Sequence, residues 1–170
     1  AETGNLSIVY FTSRKENYRE VKNTAEKETA MEDFSLSNIP AFSGSPYVIV
    51  NDNTPYFSDE ELSITSFEDY SELDSLGRCG VAYASIGKDI MPTEKRGPIG
   101  HIKPSGWQTI KYDFVDGKYL YNRCHLIGFQ LSAENDNEKN LITGTRYMNV
   151  DGMLPFENMV ADYVKETGNH

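Results

Sequence analysis

Short runs of apolar residues, separated by Gly, Pro, Asn and Asp, recur along the 170-residue chain. Runs of this length that contain β-branched and aromatic residues favour strands, because such side chains pack well on a pleated sheet. The pattern predicts strands over residues 47–50, 61–64, 79–86 and 107–112. A turn signal at Asp116-Gly117 lies between two β-like runs and predicts a hairpin over residues 107–125.

Helical spacing of apolar residues occurs in other segments. Residues 154–166 predict a helix with Pro155 in its first turn and Gly168 as its C-terminal cap. A weaker pattern over residues 17–31 predicts an exposed helix. One short helix face is predicted from three further apolar residues, Phe67, Tyr70 and Leu73.

Pro and Gly residues between positions 39 and 46 mark a boundary in the chain. We therefore expect an N-terminal arm, residues 1–40, that carries the helix over residues 17–31, and one domain over residues 41–170. Aromatic residues make up 12% of the chain, which favours a fold that contains a sheet. The sequence thus predicts an α+β fold with an antiparallel sheet.

Candidate chemistry concentrates in the second half of the chain. Side chains alternate between faces along a strand, so Arg123 and His125 share one face and Cys124 faces the other side. An arginine holds a phosphate oxygen, and a neutral imidazole activates water. Asn149 and Glu157 fit about two turns of one helix, and their oxygens suit a hard divalent cation such as Mg²⁺.

The run Asn122-Arg123-Cys124-His125 resembles the Asp-Arg-Gly-His motif of the DNA/RNA non-specific endonucleases. This family has a ββα-metal, or His-Me finger, site and includes the Serratia-type nucleases and the secreted streptococcal DNases. The downstream register matches the family's Asn…Asn…Glu pattern at Asn140, Asn149 and Glu157. The resemblance covers residues 79–168. It departs from the family motif at Asn122, which stands in place of Asp, and more strongly at Cys124, which stands in place of Gly.

The resemblance implies a role for each matching residue. His125 would be the general base, and Arg123 would contact the phosphate or stabilise the transition state. Asn149 would be the direct protein ligand of Mg²⁺, for which Mn²⁺ can substitute. Glu157 would hold a water of the ion's shell or orient the site, and Asn140 would position the catalytic groups.

The net charge of −10 and the sequence pI of about 4.7, taken alone, argue against a nucleic-acid partner. Acidic residues crowd the first half, however, and the balance over residues 88–146 is slightly basic. We therefore expect a local basic groove that binds DNA, with RNA as a second candidate. Arg96 and Arg146 are candidate phosphate contacts, and ordinary surface arginines are the equal alternative.

Two cysteines, Cys79 and Cys124, are too few for a disulfide-rich scaffold. The sequence leaves open whether they form one disulfide bond or remain two free thiols. The chain contains no apolar run of about 18 residues, so we expect no membrane span. No signal-like start is visible, but the resemblance implies a secreted or cell-surface protein. It also implies further strands after the last helix, which predicts a trimmed piece or a small divergent family member.

The sequence therefore predicts a Mg²⁺-dependent endonuclease that hydrolyses phosphodiester bonds without sequence preference and works near or above neutral pH. A second reading keeps the same fold without catalysis, as a binding or surface-interaction module. Cys124, the acidic body and the position of the last helix favour that alternative. A measurement of metal binding distinguishes the endonuclease from the binding module, because a module without catalysis need not bind Mg²⁺ or Mn²⁺.

Overall fold

The computed structural model describes residues 37, 39–53, 55, 57 and 61–170. This part of the chain forms an α+β fold with two small antiparallel sheets, which confirms the predicted class. The predicted helix over residues 17–31 and nearly all of the predicted arm lie outside the described residues. The boundary near residue 40 therefore stays a prediction.

The first sheet consists of β1 (Phe67–Tyr70) and β2 (Ala82–Ser85). Strand β2 confirms part of the strand predicted over residues 79–86, and residues 79–81 lie outside it. The helix face predicted from Phe67, Tyr70 and Leu73 is wrong, because the first two of these residues lie in β1. Pairing with β2 overrides the local spacing, and the ring of Phe67 packs edge-on against Tyr83, with 4.9 Å between centroids.

The second sheet consists of β3 (Tyr121–His125) and β4 (Leu141–Thr145), with His125 opposite Leu141. The hairpin predicted over residues 107–125 is only partly formed. A turn follows the predicted Asp116-Gly117 signal, but one bridge, Lys111 to Tyr119, replaces the expected ladder. Strand β3 pairs with β4 instead, because β4 contributes the buried side chains of Leu141 and Ile142 to the core.

Two other strand predictions are wrong. Residues 47–50 and 61–64 have no regular structure. Val48 is 51% exposed and Ile49 is 70% exposed, so the first of these runs lies on the surface. Apolar content alone does not supply a neighbouring strand, and neither run finds one among the described residues.

Four helical segments follow β3 in the chain. They are α1 (Phe129–Ser132), a 3₁₀ turn (Glu138–Asn140), a π-helix (Met148–Met153) and α2 (Leu154–Thr167). Helix α2 confirms the predicted C-terminal helix: Pro155 lies in its first turn and Gly168 caps it with a left-handed φ of 71°. No helix in the described part of the chain is long and apolar enough to cross a membrane.

Two clusters of buried residues hold these elements together. Cys124, Ile142 and Met153 join the second sheet to the π-helix. Ile127, Leu131 and Ala161 join α1 to α2, and residues of the first sheet pack against them. The C-terminal end of β3 is therefore fixed between the π-helix and α2, where the candidate site lies.

Candidate active site

The His125 cleft, of about 270 Å³, opens where β3 ends and the π-helix runs into α2. It brings together four residues predicted from the sequence: Arg123, His125, Asn149 and Glu157. The other lining residues are Arg96, Gly128, Phe129, Gln130 and Leu154. Two arginines against one carboxylate give this cleft a locally basic lining on an acidic protein.

The His125 imidazole is held in one orientation by the main chain. Its Nε2 lies 2.8 Å from the backbone oxygen of Asn135, and a carbonyl oxygen only accepts hydrogen bonds. Nε2 therefore carries the proton of the neutral ring, and Nδ1 is the basic nitrogen. Burial lowers the pKa of His125, which is 8% exposed, and the nearby Arg96 charge lowers it further against the effect of the Asn135 bond. The ring is accordingly neutral at neutral pH.

Arg123 is fixed by contacts with the loop that precedes the hairpin turn. Its Nε donates to the Ile102 oxygen at 2.5 Å and its Nη2 donates to the Gly100 oxygen at 2.9 Å. The guanidinium carbon lies over the ring of Trp107, 3.8 Å from its centroid, which is a cation–π contact. Trp107 thus supports Arg123, and the guanidinium carries further N–H groups that these two bonds do not use.

Asn149 lies in the π-helix, and Glu157 lies in the first turns of α2. Burial raises the pKa of Glu157, and a hydrogen bond with Gln130 opposes that rise. Among the described residues, Glu157 forms no ion pair. A half-buried carboxylate without a cationic partner, beside an amide, suits a bound cation.

The donor set narrows the kind of metal that fits this cleft. Within the described ranges, no group of three or more His, Cys, Asp or Glu side chains is placed to hold a metal ion. A zinc site built from several protein ligands therefore does not match these residues. An amide oxygen and a carboxylate match an ion that keeps most of its waters, as Mg²⁺ does.

Asn140 is buried outside the cleft, with 0% of its surface exposed. Its Oδ1 accepts the Ile127 N–H at 2.8 Å, and its Nδ2 donates to the Ile127 oxygen at 3.0 Å. Both polar ends of the side chain thus bond to the main chain of Ile127, two residues after the end of β3. Asn140 is therefore buried against the main chain and does not line the cleft, and its positioning role stays a prediction.

The structure separates the two candidate phosphate contacts. Arg96 lines the His125 cleft. Arg146 follows β4 at the opposite end of the ladder from His125, and its Nη2 lies 2.8 Å from the Asp116 carboxylate. The structure does not bring Arg146 to the cleft, and its contact with a phosphate stays a prediction.

Residues 55–170 match the family model described as DNA/RNA non-specific endonuclease. The chain belongs to this family. Crystal structures of NucA from Streptococcus agalactiae have similar folds. The magnesium-bound form has a TM-score of 0.54 and 19% identity over 62% of this chain and 55% of NucA. The metal-free form has a TM-score of 0.59 and 18% identity over 77% of this chain and 64% of NucA.

The Sda1 nuclease with bound zinc has 27% identity over 60% of this chain and 58% of its own, with a TM-score of 0.48. The family member described here thus spans less than two thirds of the length of each of these three solved chains. A comparison with curated proteins gives no match.

This family member accommodates Cys124, its main departure from the motif, on the side of β3 that faces away from His125. Cys124 is 0% exposed and packs with Ile142 and Met153. Burial raises the pKa of its thiol to about 12, so the thiol is no nucleophile at neutral pH. Cys79 and Cys124 are both free thiols in the structure.

Two contributors to the cleft have little signal in the sequence. Asn135 acts on His125 through its backbone oxygen, which any residue supplies, so its identity carries no information about that contact. Gly128 lies within an apolar run and lines the cleft beside Glu157. Its position in the sequence does not reveal that the Glu157 carboxylate is its neighbour.

Proposed function

We propose that the protein is a metal-dependent endonuclease that hydrolyses phosphodiester bonds of DNA without sequence preference, with RNA as a second substrate. The observation that carries this proposal is the orientation of His125. Its Nε2 is bound to the Asn135 oxygen, which leaves Nδ1 as the base in a cleft shared with Arg123, Asn149 and Glu157. The succession of β3, β4 and α2 around this cleft supports a ββα-metal site.

His125 carries out the proton transfer in this mechanism. Its Nδ1 takes a proton from a water molecule as the water oxygen forms a bond to phosphorus. The bond between phosphorus and the 3′ oxygen breaks on the opposite side, and the departing oxygen takes a proton from solvent water. The products then carry a 5′ phosphate and a 3′ hydroxyl. Burial and the Arg96 charge keep the ring unprotonated, as a general base requires.

Mg²⁺, for which Mn²⁺ substitutes, is the proposed metal, and Asn149 is its proposed direct ligand. When bound, the ion supplies positive charge that stabilises the phosphate and the departing oxygen. Glu157 lines the same cleft, and its half-buried carboxylate orients the surroundings of the ion. One direct protein ligand fits the small number of acidic and imidazole groups at this place.

Arg123 and Arg96 are the proposed phosphate contacts. Arg123 is held in place by Ile102, Gly100 and Trp107, so it meets the substrate with little loss of side-chain freedom. The whole protein has a net charge of −10, so binding depends on the cleft rather than on general attraction. We further propose that the protein acts outside the cell, as the family resemblance implies.

Plasmid degradation by the purified protein tests this function. Cutting with Mg²⁺ is expected to stop with EDTA and to stop in His125→Ala. The matched control is His101→Ala, which removes an exposed histidine paired with Asp136 on the surface. Cutting that survives both EDTA and His125→Ala contradicts the mechanism. Absence of cutting and of Mn²⁺ binding supports a silent binding module instead.

A further inference from the structure

Gly128 and Glu157 approach each other closely in the His125 cleft. A Cβ atom built on Gly128 would lie 2.5 Å from Oε2 of Glu157 and 2.7 Å from its Cδ. The other carboxylate oxygen would lie at 3.2 Å. The carboxylate therefore occupies the space that a side chain at position 128 would need.

Backbone conformation does not explain a glycine at this position. Gly128 has φ −60° and ψ 142°, an extended conformation that every L-residue adopts without strain. The five glycines with φ between 67° and 97° in the described residues are at other positions. A side chain at this position would therefore conflict with the Glu157 carboxylate and not with the conformation of the main chain.

We propose that Gly128 is a positioning residue whose missing side chain sets the place of the Glu157 carboxylate in the cleft. This inference rests on the proposed function, in which Glu157 orients the surroundings of the metal. Both residues line the cleft together with Asn149. A side chain at position 128 acts on the reaction through Glu157 and through no contact of its own with substrate.

A methyl group at position 128 is expected to destabilise the fold less than a steric clash in the hydrophobic core does. The atoms it meets are the far end of a flexible glutamate, which rotates away at low cost. The fold is therefore expected to survive Gly128→Ala, while the carboxylate leaves its place. Loss of a group that orients a metal site typically costs about 10- to 100-fold in affinity or activity.

Gly80 offers a matched control outside the cleft. A Cβ at Gly80 would lie 2.7 Å from the Cβ of Ser71, so Gly80→Ala creates a similarly close contact near the first sheet. That variant tests the effect of a crowded methyl group on stability alone. Its metal affinity and its kinetic constants per folded molecule are expected to equal those of the unmodified protein.

The experiment compares Gly128→Ala, Glu157→Ala and the double variant with the Gly80→Ala control. Mn²⁺ binding is measured by electron paramagnetic resonance, plasmid cleavage over a range of Mg²⁺ concentrations, and stability by thermal unfolding. We expect Gly128→Ala to weaken Mn²⁺ binding and to raise the Mg²⁺ concentration needed for half-maximal cleavage. In the Glu157→Ala background the same methyl group is expected to have no effect.

The outcomes separate this inference from the proposed function. Normal Mn²⁺ binding and cleavage by Gly128→Ala, beside an impaired Glu157→Ala, overturn the role of Gly128 and leave the nuclease intact. A protein that binds Mn²⁺ without cutting overturns the function, while the binding data still test Gly128. Absence of Mn²⁺ binding overturns both. If Gly128→Ala does not fold, the double variant with Glu157→Ala decides the cause. A double variant that folds shows that the clash with Glu157 caused the unfolding, and a double variant that does not fold refutes this.

Discussion

The side chain of His125 and the main chain of Asn135 are joined by a 2.8 Å hydrogen bond, and Asn135 has a second partner. Its Oδ1 accepts the Gly97 N–H at 3.1 Å. Gly97 follows Arg96, the cation that lowers the pKa of His125. One residue thus connects the proposed base to the loop that carries the neighbouring positive charge.

The pH dependence of cleavage follows from the state of His125. Its pKa is lowered from an ordinary value of 6.5 by burial and by Arg96, so the neutral ring persists below that pH. We expect kcat/KM to be flat through neutral pH and to fall only on acidification below about 6.5. Cleavage rates from acidic to basic pH at fixed Mg²⁺ check this, and activity confined to acidic pH contradicts it.

Arg96→Ala tests whether the positive charge of Arg96 lowers the pKa of His125. Removing the positive charge raises the pKa of His125, so the acidic limb of the kcat/KM profile moves to higher pH. Loss of a phosphate contact also weakens DNA binding and reduces the slope of affinity against salt by about one. Lys103→Ala, on the same loop, is the control, and it is expected to leave the pH limb in place. If the acidic limb of the kcat/KM profile stays at the same pH in Arg96→Ala, the Arg96 charge does not affect the pKa of His125.

Asn140→Ala is expected to act mainly on stability. It leaves the buried N–H and carbonyl of Ile127 without their partners, which costs about 2–6 kcal/mol for the two groups. Urea unfolding measures this loss, with Asn169→Ala at the exposed C-terminal end as control. A strong loss of cleavage at unchanged stability would instead indicate a direct catalytic role for Asn140.

Arg146→Ala tests whether Arg146 contacts phosphate, as predicted from the sequence, or serves only the ion pair with Asp116. The pair with Asp116 is largely exposed and contributes about 1 kcal/mol or less to stability. If Arg146 serves that pair alone, KM for DNA is little changed, whereas Arg96→Ala raises it. A rise in KM similar to that of Arg96→Ala would show that Arg146 does contact phosphate.

The two thiols are expected to react at different rates. Cys79 is partly exposed, whereas Cys124 is buried and its pKa is raised to about 12. A maleimide reagent should therefore modify Cys79 first and Cys124 only when the protein unfolds. Mass spectrometry counts the modified thiols. A reductant that lowers the unfolding temperature would reveal a disulfide in the purified protein.

The sequence predicted some of the features that depend on local spacing. Alternation along a strand placed Arg123 and His125 on one face, and helical periodicity with Gly168 predicted α2. It did not predict β1, because Phe67 and Tyr70 fit a helical spacing until pairing with β2 is known.

The contacts of the site were less accessible from the sequence. The support of Arg123 by Trp107 depends on how a long loop folds back onto β3. The bond from Asn135 to His125 is made by a backbone atom. Both depend on tertiary structure, which spacing does not encode.

The π-helix over Met148–Met153 determines the angle around the helix axis between the side chains of Asn149 and Glu157. Eight positions separate these residues, and at about 100° per residue a regular α-helix would leave their side chains about 80° apart. A π turn holds roughly one more residue than an α turn, so the eight positions complete about two turns and both side chains return to the same side. Deleting one residue there would rotate the amide out of the cleft without changing any residue that lines it. The length of this segment is therefore as strict a requirement for the site as the identity of its side chains.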